Sequence, residues 1–302
     1  MNTQHLPTTI PEYLAHLRRA LEGADPAMIQ DALYDAEEYL RSELAEHPGR
    51  SEAEVIAAVA SSYGAPDEVA DIYRDTEDKV QTALRPPAPA PRRSPLGRFF
   101  GVAADPRAYA SLFYMALSLA TGIFYFTWIV TGLSLSLSLA ILIVGVPFVI
   151  LFFGSVRILS LVEGRIVEVM LGERMPRRPL YSARGRSILQ RIGDMFTDPR
   201  TWSAMLYMVL MLPLGVVYFT VVVTLGSISL GMLLAPLSLL TGIEFSVWLF
   251  GLDLVRDAPW LLPLVSLAGA LLLFVTLHIA RGVGRLHGLF AKHLLVKTAQ
   301  YA

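Results

Sequence analysis

From Ala108 to Val156 the chain carries no charged residue, and from Thr201 to Phe245 it carries one, Glu244. Each stretch is well beyond the roughly 20 apolar residues that a helix needs to cross a bilayer. Only 17% of the 302 residues are charged, against about a quarter in an ordinary soluble domain. The chain therefore reads as an integral membrane protein of all-α class. Residues 1–17 include Glu12 and two prolines and lack the apolar core of a signal peptide, so the N-terminus is expected to stay in the cytoplasm. The absence of cysteine excludes disulfides, thiolate chemistry, palmitoylation and Cys-ligated metals.

The membrane part is duplicated. Sliding it by 93 residues aligns Asp105–Leu137 with Asp198–Leu230, and 16 of the 33 pairs are identical. They include Asp105-Pro106-Arg107 with Asp198-Pro199-Arg200, Tyr114-Met115 with Tyr207-Met208, Gly122 with Gly215, and Tyr125-Phe126-Thr127 with Tyr218-Phe219-Thr220. Later the offset becomes 124, where Arg157 meets Arg281, Gly164 meets Gly288 and Leu171 meets Leu295. Two copies of one hairpin, the second with an insertion, account for this. Four spans are expected, at about 108–130, 136–158, 201–224 and 259–281. They pack as a four-helix bundle whose pseudo-twofold axis follows the membrane normal. Arginines and lysines cluster before the first span, between the hairpins and after the last one. The rule that short cytoplasmic loops are basic then puts both termini inside a bacterial inner membrane. Ser229–Phe250 is apolar enough to be a fifth span but would break this pattern, so the insertion at about 230–258 is read as interfacial or re-entrant.

Ahead of the membrane lies a head, residues 1–84, with 17 acidic and six basic residues, a net charge of −11. The remainder carries +10. An acidic head is a poor ligand for nucleic acid or anionic lipid, and suits a basic partner or the chain's own basic loops. Four helices are expected in it. The first, from Pro11, begins after a Thr8-Thr9 cap, and the second is capped by Asp25 with Pro26 behind it. The third opens on the Ser51-Glu-Ala-Glu54 capping box, and the fourth is capped by Asp67 after the Tyr63-Gly64-Ala65-Pro66 turn. A Pro-rich linker, residues 85–98, follows. The repeats are then 99–192, with a basic loop, and 193–302.

Two resemblances follow from these residues. Tyr13-Leu14, Asp35-Ala-Glu37-Glu38-Tyr39-Leu40, Ser51-Glu-Ala-Glu54 and Gly64-Ala-Pro-Asp67-Glu68-Val69-Ala70 make residues 10–75 similar to the HAAS-type signalling domain. That bacterial module is found ahead of membrane segments and often accompanies PadR-like transcription factors. Tyr125-Phe126-Thr-x-x-Val-Thr-Gly-Leu-Ser134, Gly145-Val-Pro147 and Tyr218-Phe219-Thr220 make residues 96–295 resemble the sensor domain found at the N-terminus of many bacterial histidine kinases. Residues 1–302 show no kinase module, so regulation without kinase output is what is expected.

Candidate residues fall in three groups. Tyr125, Thr127, Tyr218 and Thr220, expected near the outer ends of spans one and three, could line a shared pocket, with Glu244 in the outer insertion as a further ligand-sensing candidate. The same tyrosines and threonines also suit plain interfacial packing. Arg157, His278 and Arg281 are candidates for a membrane relay. Glu37, Glu38, Asp67 and Glu68 are candidates for binding a partner of the head. The histidines show no HExxH or i, i+4 ligand pair, so no metal is expected. Met205, Met208 and Met211 suit helix packing. Arg107 and Arg200 are expected to snorkel to headgroups. No nucleotide-binding or hydrolase motif occurs, and neither an enzyme nor a cofactor is expected. The leading expectation is a membrane sensor passing an envelope signal to a cytoplasmic regulator. A homo-oligomer fits it, and no direct contact with nucleic acid is expected. The alternatives are a small transporter subunit and a scaffold without signalling.

Overall fold

The computed structural model describes residues 7–84, 94–139, 145–178, 193, 196–241, 248–249 and 252–296. The head comprises α1 (Ile10–Ala20), α2 (Pro26–Glu46), α3 (Glu52–Ser62) and α4 (Pro66–Leu84). Their starts follow the capping chemistry. Thr9 accepts from the Glu12 N–H, Asp25 from that of Ala27, and Ser51 with Glu54 forms a reciprocal box. α4 departs by one residue from expectation. It begins at Pro66, Asp67 lies in its first turn, and Glu68 reaches back to the Ala65 N–H at 3.1 Å. Gly64, at φ +118°, makes the corner, and its carbonyl accepts from the buried Tyr13 hydroxyl at 2.8 Å. Tyr13, Leu17, Leu21, Ala32, Ala36, Leu40, Ile56 and Val59 form the apolar core.

Residues 85–93 of the expected linker lie outside the described residues, and its last part is helical. Ser94 caps α5 (Pro95–Phe100) through the Gly97 N–H. The membrane part then contains α6 (Pro106–Leu139), α7 (Gly145–Leu171), α8 (Pro199–Leu234) and α10 (Leu262–Leu295), with a single turn of helix, α9 (Ser238–Thr241), between the last two. These four long helices are long and apolar enough to cross a membrane. The second is displaced from the expected 136–158. Residues 136–139 belong to α6, because the Ser-Leu alternation after Ser134 holds no helix breaker, and Pro147 falls in the first turn of α7, where its missing N–H costs nothing. α7 and α10 both run well past the expected ends at 158 and 281. Of the insertion, the described part contains α9 and a two-residue antiparallel pair, β1 (Trp248–Leu249) with β2 (Leu252–Asp253). The fold is all-α apart from that pair, and no fifth spanning helix occurs among the described residues.

α6 and α8, the first helices of the two repeats, pack most intimately with each other. A Cβ on Gly122 would strike the Met211 carbonyl, and one on Gly215 would strike the Ser118 carbonyl. Gly122 and Gly215 are repeat partners, and so are Ser118 and Met211. The crossing is therefore approximately twofold, and glycine is what lets the backbones meet. Two ion pairs obey the same symmetry across the repeats: Arg157 with Asp198 at 3.0 Å, and Arg281 with Asp105 at 3.1 Å. Met205, Met208 and Met211 are buried in this interface, as their spacing suggests.

Candidate functional site

About two turns in from the ends of α6, α7, α8 and α10, on the side of the bundle that faces the head, polar groups converge in a largely apolar interior. Glu163 of α7 is completely buried, and His287 of α10 is 1% exposed. Oε1 of Glu163 accepts from Tyr114 Oη at 2.8 Å and from Tyr207 Oη at 2.9 Å, while its Oε2 accepts from Tyr125 Oη at 2.8 Å. His287 Nε2 lies 2.7 Å from Tyr114 Oη and 2.9 Å from Tyr207 Oη, and its Nδ1 lies 3.3 Å from Tyr218 Oη.

The six side chains are three pairs of repeat partners. Tyr114 matches Tyr207 and Tyr125 matches Tyr218 at the offset of 93, and Glu163 matches His287 at the offset of 124. Each repeat supplies two phenols and one titratable group, and the central phenols are shared between both groups. Side chains on a helix lean toward its N-terminus, which carries the Tyr125 and Tyr218 hydroxyls back from the far half of the bundle into the cluster. Phenols that donate to Glu163 offer their lone pairs to His287, so Nε2 carries hydrogen. Nδ1 then accepts from Tyr218, or donates to it when the ring is protonated. The cluster is one continuous hydrogen-bonded path between an acid and an imidazole. A carboxylate this deep would cost several kcal/mol without its donors.

The expected site is thus partly assembled. Tyr125 and Tyr218 meet through Glu163, the shared phenols and His287, and not at the outer ends of their helices. Thr127 and Thr220 are exposed on the bundle surface, and Glu244 lies outside the described residues. Arg157 and Arg281 form the matched ion pairs, and His278 Nε2 lies 3.0 Å from the Phe99 carbonyl. Sequence reasoning missed Tyr114, Tyr207, Glu163 and His287 as a site. The signal was present, since the frame that pairs Gly164 with Gly288 also pairs Glu163 with His287. Ending the second span at 158 left Glu163 outside the membrane.

The head lies against this same end of the bundle. Asp31 of α2 is the hub: its Oδ1 accepts from the backbone N–H groups of Arg177 (2.6 Å) and Arg178 (2.8 Å), and its Oδ2 from Arg174 Nη2 (3.0 Å). Burial pushes the Asp31 carboxyl up, against the downward pull of those N–H groups and Arg174. Arg174 also pairs with Glu77 at 2.8 Å. Burial alone would lower its guanidinium, but the Glu77, Asp31 and Glu168 carboxylates outweigh it and hold the guanidinium up. Gln30 bridges the Arg178 carbonyl (2.6 Å) and Arg200 Nη2 (2.5 Å), Asp35 meets Arg178 at 2.9 Å, and Asp25 meets Lys292 at 2.5 Å. Ala27 is fully buried and joins the apolar cluster of the bundle. Residues 27, 30, 31, 34 and 35 are one stripe of α2, distinct from the stripe that builds the head's own core. Arg200 is consequently half-buried and held by the head through Gln30, where snorkelling was expected. The repeat equivalent of Arg200, Arg107, is exposed. Of the expected partner-binding residues, Glu37 is buried and paired with Arg41 at 2.7 Å, while Glu38, Asp67 and Glu68 stay exposed.

Comparison with known families agrees with this layout. Residues 114–295, well over half of the chain, match the family described as "Putative sensor". The chain belongs to that sensor family. Residues 12–72 match the HAAS family, so the docked head is a HAAS domain carried by the sensor's membrane bundle. The matched sensor region contains all six residues of the buried cluster. No curated protein and no solved structure matches the chain.

Proposed function

We propose that this sensor is a non-enzymatic regulatory protein of the bacterial inner membrane. It perceives a state of the envelope or bilayer through its bundle and relays it to a cytoplasmic partner, such as a transcription regulator, by retaining or releasing the HAAS head. Both termini and the head lie on the cytoplasmic side. The observation that carries this reading is the seating of α2 on the 174–178 segment that follows α7 and on the head-facing ends of α8 and α10; α7, α8 and α10 supply Glu163, Tyr207 and His287. A shift in the packing or protonation of that cluster moves the helix ends, and the head's anchoring groups move with them.

The test separates output from docking. Arg174→Gln removes the cation between the Asp31 and Glu77 carboxylates and should release the head. Transcript levels in cells carrying this variant should differ from wild type and also from a deletion of residues 1–84, which removes head and output together. Identical transcripts in all three strains, together with solute flux in proteoliposomes, would replace the relay with a transport role.

A further inference from the structure

Between α2 of the head and the two repeats lies a cavity of about 270 Å³, near the lower end of the roughly 300–1,000 Å³ of small-ligand sites. Leu161, Met175 and Leu295 give it an apolar wall; Arg157, Asp198 and Arg200 give it a charged one, and Gln30 closes it from the head. Two guanidiniums against one carboxylate leave the lining with a net charge of +1. Asp198 is already engaged, by Arg157 Nη2 at 3.0 Å and by the Arg200 backbone N–H at 3.0 Å. The Arg200 side chain bonds two neutral acceptors, the Leu295 carbonyl at 2.9 Å and Gln30 Oε1 at 2.5 Å. Arg157 Nε is buried and donates to nothing among the described residues. Arg281, the repeat equivalent, makes the matching ion pair and has no such orphaned atom among those residues. The Arg157 guanidinium is otherwise partly exposed, but an unpaired buried N–H on it is costly, and an acceptor of negative charge removes that cost.

We propose that this cavity binds a phosphate group on a short apolar attachment. A phosphate presents enough oxygens to accept from Arg157 Nε and from the Arg200 fork at once, which the two oxygens of a carboxylate do poorly across two helices. The attachment lies along Leu161, Met175 and Leu295. A lipid headgroup and a soluble phosphate monoester share this chemistry. Because Gln30 belongs to the head and the guanidiniums to the bundle, the bound group touches more protein when the head is docked, and so favours docking by linkage. That last effect rests on the relay described above; binding itself does not.

The experiment uses the full chain in two arms. Inorganic phosphate is titrated calorimetrically in maltoside micelles, and nanodiscs of phosphatidylcholine with or without phosphatidic acid are assayed for retained lipid by native mass spectrometry. Saturable binding in either arm supports the site, and the responding arm identifies the source. Arg157→Lys, which keeps the charge but loses the Nε donor, should weaken binding about tenfold, while Arg281→Lys should leave it unchanged. Leu161→Phe, which narrows the cavity and spares both guanidiniums, should also weaken it. No binding in either arm, or equal losses for Arg157→Lys and Arg281→Lys, overturns the proposal. Binding that leaves the head-to-bundle distance unaltered keeps the site and overturns its link to docking.

Discussion

At the scale of single residues, Glu163 holds the bundle interior together and is also its largest liability. Truncation by Glu163→Ala leaves three phenols facing a void, and should lower the stability of the bundle by about 3 kcal/mol. Glu163→Gln keeps an accepting oxygen and should cost less, as thermal unfolding in one detergent will show. The pseudo-symmetry makes a sharper prediction. Tyr125 donates to a carboxylate at 2.8 Å and Tyr218 meets an imidazole nitrogen at 3.3 Å. Tyr125→Phe should therefore cost about 2 kcal/mol and Tyr218→Phe about 1 kcal/mol or less. In the head, burial raises the Tyr13 and Tyr73 hydroxyls above their ordinary value of 10.0, with Tyr63 nearby adding to the effect. A phenol raised in the folded state ionises first in the unfolded one, so the head keeps full stability below about pH 10 and loses it above. An alkaline titration of the full chain followed by phenolate absorbance and circular dichroism should show tyrosines that ionise only as head helix is lost. Such chemistry was half legible beforehand. Tyr125 and Tyr218 stood out through the repeat, but their partners lay in helices whose ends apolarity alone does not mark.

At the scale of helices, the duplication explains why α6 and α8 cross where they do. Gly122 and Gly215 each sit against the other helix's backbone, which cannot retreat as a flexible side chain would. Gly122→Leu and Gly215→Leu should thus destabilise the bundle by similar amounts, about 3 kcal/mol each, and a clear inequality between them would argue against a symmetric crossing. The number of spans and the pairing of the repeats follow from charge-free length and self-similarity, both visible in the chain. The placement of α7 does not, because a hydrophobic window ends where charge appears, whereas a helix ends where its hydrogen bonding does. Arg157, Arg165 and Glu168 all fit inside α7 because they are paired: Arg157 with Asp198, and Arg165 with Glu168. Head helices were easier to place, since Thr9, Asp25 and Ser51 fix their starts by side-chain bonds to specific N–H groups.

At the scale of the whole molecule, the split between an acidic head and a basic bundle becomes a docked interface. Exposed ion pairs would dissolve in salt, but Arg174 is only 11% exposed and is held between two carboxylates. Docking should therefore survive ionic strengths that screen surface charge, and yield instead to Arg174→Gln. Which stripe of α2 would dock was not legible, because Gln30, Asp31 and Asp35 look like an ordinary solvated face until the 174–178 segment is laid against them. The central claim is that the buried cluster and the docked head are coupled, and one distance tests it. With no native cysteine, spin labels at Ala57→Cys on the head and Arg285→Cys on the bundle report their separation in nanodiscs. The account predicts one narrow distance in the parent chain, and a broadened, longer distribution when Glu163→Gln or Tyr207→Phe is added. A distribution that stays narrow in both cluster variants, yet broadens with Arg174→Gln, would contradict the coupling.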